Sequence, residues 1–97
     1  MKVTKYGHCC LLIEEKGLRI LTDPGSFTTA QNDVKSIDII LITHEHADHL
    51  HIDSLKIIIK NNPVARIITN NGVAKLLDKE KIKYQIVDDG KSYNSGI

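Results

Sequence analysis

Side chains that could bind a metal are concentrated in one short stretch of this chain, residues 44–49. The histidines and carboxylates of the stretch are His44, Glu45, His46, Asp48 and His49. Imidazole with carboxylate suits zinc, manganese or iron. His44 and His46 are two residues apart, so in an extended loop both can point toward one ion, and Asp48 and His49 can turn toward a second. The alternative is a solvated loop that is histidine-rich by chance. It is disfavoured because three of the five histidines of the whole chain lie in this one stretch.

An apolar run directly precedes this stretch and indicates where it lies in the fold. Residues 37–42 are mostly apolar and rich in β-branched side chains, which is typical of a short buried strand. The histidine stretch is therefore expected to be a loop that begins at the end of a strand. Loops of this kind commonly carry binding and catalytic residues on a rigid scaffold.

Hydrophobic patterning predicts the other elements. Strands are expected at residues 2–6, 8–14, 18–22, 65–69 and 84–87, and helices at 52–61 and 72–80. His51 is expected to mark the start of the first helix, with Asp53 or the residue before it as its cap. The front strands form antiparallel hairpins, and the later alternation of strands and helices predicts parallel pairing with right-handed crossovers. The expected fold class is α/β, a mixed β-sheet with helices on one face and with Leu12, Leu21 and Leu41 on the other.

The histidine stretch has the form His-x-His-x-Asp-His, which resembles the signature of the metallo-β-lactamase superfamily of metal-dependent hydrolases. Residues 7–13 and 19–25 are similar to the opening hairpin of its L-ascorbate-6-phosphate lactonase-like branch, in which a Gly-His begins the second strand and an Asp-Pro closes the third. The resemblance implies that the predicted sheet and helices are one half of the αββα sandwich of that superfamily. It also implies a hydrolase that acts on a small-molecule ester, lactone or phosphoester.

The resemblance also implies roles for individual residues. His44 and His46 would bind a first divalent metal, and Asp48 and His49 a second. Zinc is the expected ion, with manganese or iron as alternatives. Metal-activated water would attack the substrate, and Asp48 would orient that water as a catalytic residue.

Two further residues have an open assignment at this point. Asp23 would lie behind the metal site and hold the histidine loop by hydrogen bonds. Its alternative is a turn carboxylate before proline. His8 could face the substrate as a second catalytic residue, or could be a buried histidine with a backbone partner.

The match to the superfamily covers the N-terminal half of its fold. The later metal ligands of the family have no counterpart here, since no histidine follows His51. The expectation is a single truncated domain over residues 1–97. Two functions remain open: a hydrolase whose second half is lost or supplied by another chain, and an inactive half-domain that binds metal weakly and serves as a dimerising or interaction module. A helix-free apolar face would favour a homodimer, because soluble monomers rarely expose such patches.

Composition excludes some classes of protein. Apolar residues make up 41% and charged residues 26% of the 97-residue chain, as in an ordinary soluble domain. The formal charge of +1 provides no basic field for a phosphate backbone and disfavours nucleic acid as the partner. No signal peptide or membrane-length apolar run occurs, so a cytoplasmic protein is expected. The adjacent Cys9 and Cys10 are expected to be reduced thiols packed in a strand, with metal ligation as the alternative.

Overall fold

The structure, a computed structural model, describes residues 1–7, 10–25, 34–43 and 51–87. In these ranges the chain forms six strands and two helices. They are β1 (Lys2–Gly7), β2 (Cys10–Glu15), β3 (Leu18–Thr22), β4 (Ile39–Leu41), α1 (Ile52–Asn61), β5 (Arg66–Thr69), α2 (Asn71–Lys79) and β6 (Gln85–Ile86). The predicted elements are confirmed, with β4 and β6 shorter than expected. Neither described helix is long and apolar enough to span a membrane.

The six strands form one mixed sheet in chain order, β1-β2-β3-β4-β5-β6. The first three strands pair antiparallel and β4, β5 and β6 pair parallel, as predicted. The pairing of β3 with β4 is also parallel. Because parallel strands end at the same edge of a sheet, the carboxyl ends of β3, β4 and β5 are neighbours. The chain leaves β4 toward the histidine stretch at this edge.

The register of the sheet assigns its two faces. Leu12, Leu21, Ile40 and Ile67 pair in one lateral row across four strands. This row belongs to the same buried cluster as the apolar side chains of both helices, so α1 and α2 cover this face. The helix residues of the cluster are Leu55, Ile58, Val73 and Leu77.

The expectation that Leu12 and Leu21 lie on the helix-free face is therefore wrong, while Leu41 does alternate to that face. Paired partners share a face, and Leu41 pairs with Thr22 and Ile68 in the other set of rows. No helix of the described ranges packs on that other face, called the helix-free face below, and it carries a series of apolar side chains, most of them half-buried or buried. They are Val3, Leu11, Ile13, Ile20, Ile39, Leu41 and Ile68.

Both helix starts differ from the expectation in detail. His51 is the N-cap residue of α1, but its side chain makes no capping hydrogen bond, so the expected cap at Asp53 or Ile52 is wrong. Asp53 lies instead in the first turn, where a carboxylate is favoured by the helix dipole. The second helix begins at Asn71, and the side chain of Asn70 accepts a hydrogen bond from the amide of Val73.

The end of α1 fixes the start of β4 through a buried amide. Asn62 donates from Nδ2 to the carbonyl oxygens of Val34 (2.8 Å) and Ile58 (2.9 Å). Its Oδ1 accepts from the amide of Ile37 at 2.9 Å. Two of these hydrogen bonds tie the segment that leads into β4 to Asn62, and the third ties Asn62 to the last turn of α1.

Cys10 is a free, buried thiol in the core cluster, as expected for a packed strand cysteine. Burial, with the nearby charge of Asp23, raises the pKa of the Cys10 thiol to about 12. The thiol therefore stays protonated at neutral pH. Cys9 lies outside the described residues.

Candidate functional site

The described part of the site is the edge of the sheet where Thr43 leads into the histidine stretch. The residues predicted to ligate metal or to face substrate lie outside the described residues. They are His8, His44, His46, Asp48 and His49. Their roles stay predictions, and the structure reports on the residues that hold the ends of the stretch.

Asp23, at the end of β3, holds the residue that precedes the stretch. The side chain is buried, with 6% of its surface exposed. Its Oδ1 accepts from the amide of Thr43 at 2.6 Å, and its Oδ2 accepts from the Thr43 hydroxyl at 2.8 Å. The amide of Asp23 donates to the carbonyl of Leu41 at 2.8 Å. Both carboxylate oxygens are therefore engaged in fixing Thr43, which is the contact expected of a residue that supports the histidine loop.

The backbone of Asp23 has an unusual conformation that serves this contact. Its φ is 41°, in the left-handed region that Asp and Asn adopt more readily than most residues. The next residue, Pro24, accepts a hydrogen bond at its carbonyl from the amide of His51 at 3.0 Å. The dipeptide Asp23–Pro24 thus contacts both the residue before and the residue after positions 44–50.

The side chain of His51 also makes a hydrogen bond that holds this residue. Its Nδ1 lies 2.8 Å from the hydroxyl oxygen of Ser54, which is buried in the first turn of α1. The prediction that His51 marks the helix start is confirmed. The exit from the histidine stretch is therefore held by both the backbone and the side chain of one residue.

The neighbouring strand supplies a second set of contacts, which sequence reasoning missed. The hydroxyl of Thr69, the last residue of β5, donates to the carbonyl of Ile42 at 2.9 Å. Asn70 donates from Nδ2 to the carbonyl of Thr43 at 2.7 Å. Polar side chains at the end of the next parallel strand were the available signal, because the ends of adjacent parallel strands share one edge.

The donor chemistry of the anchored stretch fits a divalent metal. Within the described ranges, no three His, Cys, Asp or Glu side chains come together to hold an ion. The histidine stretch lies outside those ranges, and its imidazoles and carboxylates form a set suited to zinc. Thr43, at its entry, is exposed and fixed by side chains from both neighbouring strands.

Comparisons with known proteins find relatives that are described as metal-dependent hydrolases. The model of the family described as "Beta-lactamase superfamily domain" matches residues 2–96. A UPF0173 metal-dependent hydrolase of Carboxydothermus hydrogenoformans is 33% identical over 99% of this chain and 43% of its own length. A Mycobacterium tuberculosis protein is 36% identical over 79% of this chain and 36% of its own length.

Solved structures show the same relationship. A crystal structure from Parabacteroides distasonis, of a protein assigned as a metal-dependent hydrolase, superposes with a TM-score of 0.80 at 29% identity. The match covers 96% of this chain and 40% of that one. The chain thus spans less than half the length of these relatives.

Proposed function

The chain belongs to the beta-lactamase superfamily, and we propose that it forms the metal-binding part of a metal-dependent hydrolase that acts on a small molecule in the cytoplasm. One observation supports the proposal most. The stretch that contains the candidate ligands is held at both ends, at Thr43 by Asp23 and at His51 by Pro24. A donor-rich segment fixed in this way has fewer conformations to lose when it closes on an ion.

The proposed ligands are those of the predicted site. His44 and His46 would hold one ion, and Asp48 and His49 a second, with zinc expected and manganese or iron as alternatives. A bound divalent ion supplies hydroxide near neutral pH and polarises a carbonyl or phosphoryl oxygen. Asp48 would orient the attacking water as hydrogen-bond acceptor, and His8 would face the substrate.

The described residues would contribute position rather than chemistry. The carboxylate of Asp23 is occupied by the amide and hydroxyl of Thr43, so it holds the backbone that leads to the ligands. The proposed reaction class is hydrolysis of an ester, lactone or phosphoester. Two protein ligands per ion leave the other coordination positions to water, so the affinity should be below that of a fully protein-coordinated zinc site.

A second surface suggests how the site would be completed. The helix-free face of the sheet is largely apolar. Val3 at its edge has 54% of its surface exposed, whereas Ile39 and Ile68 nearer its centre are buried. Apolar sheet faces in soluble proteins are normally covered. We propose that this face packs against a second copy of the chain or a complementing half, which would supply the remaining ligands.

The same face favours a second candidate function, an inactive half-domain that binds metal weakly and acts as a dimerising or interaction module. Metal content and turnover distinguish the two functions. The full chain is dialysed against Zn²⁺ or Mn²⁺, its metal content is measured, and hydrolysis of ester, lactone and phosphodiester substrates is followed. Two retained ions with turnover abolished by His44→Ala support the hydrolase. One weakly held ion and no turnover support the module, and sedimentation at micromolar concentration then reports on the dimer.

A further inference from the structure

We propose that Asn70 is a positioning residue of the metal site. Asn70 links the start of α2 to the peptide that leads into the histidine stretch. The inference rests on the proposed function, because the site that it positions is the proposed one. It adds a residue from the end of β5 to the support that Asp23 gives from the end of β3. Asn70 would act through Thr43, not by touching metal or substrate.

Both the oxygen and the nitrogen of the Asn70 side-chain amide make hydrogen bonds. Its Oδ1 accepts from the amide of Val73 at 3.0 Å and so caps α2. Its Nδ2 donates to the carbonyl of Thr43 at 2.7 Å. A donor must face Thr43 and an acceptor must face Val73, so these two contacts determine the orientation of the amide group.

The hydrogen bond from Asn70 fixes the direction of the Thr43 carbonyl in addition to stabilising it. The amide and hydroxyl of Thr43 are held by Asp23, and its carbonyl is held by Asn70. A peptide unit is planar, so the direction of the Thr43 carbonyl fixes the plane that contains the nitrogen of residue 44. Asn70 therefore sets the orientation of the peptide through which the chain reaches its first proposed ligand.

Asparagine is suited to this double role among the residues that cap helices. Aspartate caps equally well but offers no N–H, so its second oxygen would face the Thr43 carbonyl oxygen. Serine also caps, but its single polar atom is needed for the amide of Val73. These two substitutions thus keep the cap of α2 and remove the link to Thr43.

The experiment compares Asn70→Asp and Asn70→Ser with the unaltered full chain. Val64→Asp is the charge-matched control for the aspartate variant, because Val64 is exposed in the turn before β5. Three quantities are measured: Zn²⁺ affinity by titration, hydrogen exchange of the Val73 amide in the metal-free protein, and the carbonyl ¹³C shift of Thr43. The first reports the site, the second the helix cap and the third the proposed link.

Both Asn70 variants should shift the Thr43 carbonyl resonance, keep the protection of the Val73 amide within about threefold, and weaken Zn²⁺ binding roughly tenfold or more, as changes behind metal ligands typically do. The Val64→Asp control should bind as the unaltered chain does. Zinc affinity within twofold of the unaltered chain in both variants would overturn the inference and leave the proposed function intact. If the variants lost both the protection of the Val73 amide and zinc binding, the inference would also be overturned, since Asn70 would then be only a helix cap. Absence of zinc binding by the unaltered chain would refute the proposed function and this inference with it.

Discussion

Replacement of Asp23 tests how the histidine stretch is held. The carboxylate accepts two hydrogen bonds from Thr43, one from the amide and one from the hydroxyl. Asp23→Asn keeps one oxygen that accepts from the Thr43 amide. Its N–H₂ group can donate a hydrogen bond to the oxygen of the rotatable Thr43 hydroxyl. Asp23→Ala removes both contacts and places alanine at a φ of 41°, where a side chain without local polar contacts is strained.

The two variants should therefore differ in stability. Hydrogen bonds to a charged group contribute about 1.5–3 kcal/mol each, against about 1 kcal/mol for neutral ones, so weakening both in Asp23→Asn should cost at least about 1 kcal/mol. Asp23→Ala loses both bonds and adds strain of about 1 kcal/mol, but exposed Thr43 can recover part of the loss from water. We expect a cost of roughly 3–4 kcal/mol for the alanine variant.

Urea denaturation of the metal-free full chain measures these costs. For a domain of this size, about 1 kcal/mol corresponds to a decrease in Tm of roughly 4–8 °C, so thermal melts give a second reading. In parallel, Zn²⁺ titration of the folded Asp23→Asn variant should show affinity reduced roughly tenfold or more. Equal stability of the Asn and Ala variants would refute the assigned hydrogen bonds. Unchanged zinc affinity in a folded Asn variant would leave Asp23 as a turn residue.

Other predictions follow from the core and its polar contacts. Leu21→Ala should lower the free energy of unfolding by about 2–5 kcal/mol and Leu41→Ala by less than half as much, because only Leu21 lies in the helix-covered core. Urea denaturation of both variants checks the face assignment. Asn62→Ala leaves buried backbone groups without partners and should cost about 2–4 kcal/mol; a loss under 1 kcal/mol would contradict the three hydrogen bonds. The Cys10 thiol has its pKa raised from 9.0 to about 12, so its contribution to stability is complete below pH 9 and is lost as the pH rises through 9 toward 12. In a Cys9→Ser background, the additional Cys10→Ala change should flatten the decline in stability across that window, and an unchanged slope would argue against the raised pKa.

The sequence predicted the order and type of the elements but not the faces of the sheet. Local periodicity identified the strands and helices, including the helix start at His51. The apolar runs around Leu12 and Leu21 alternate little between apolar and polar residues, so sequence alone did not indicate which side chains point toward the helices. The pairing register with Ile40 and Ile67, a tertiary feature, decides this.

The candidate site was predictable where ligand chemistry is local in sequence and not where contacts are distant. His-x-His-x-Asp-His is visible as a string of letters, whereas the contacts of Asp23 with Thr43 join residues 20 positions apart. The sequence left Asp23 open between a turn carboxylate and a support for the loop, because its contact with Thr43 depends on the parallel pairing of β3 with β4. The sequence did not indicate a role for Asn70, because its contact with Thr43 depends on the parallel pairing of β4 with β5.

The central claim is that the histidine stretch of this superfamily member binds a divalent metal, and Zn²⁺ titration of the full chain tests it most directly. The unaltered protein is compared with the double variant His44→Ala/His46→Ala and with Lys75→Ala, which alters an exposed residue of α2 that has no part in the proposed site. Loss of binding in the double variant, with binding retained in the Lys75 variant, is the expected result. Equal affinity in the double variant and the unaltered chain would contradict the assignment of the site.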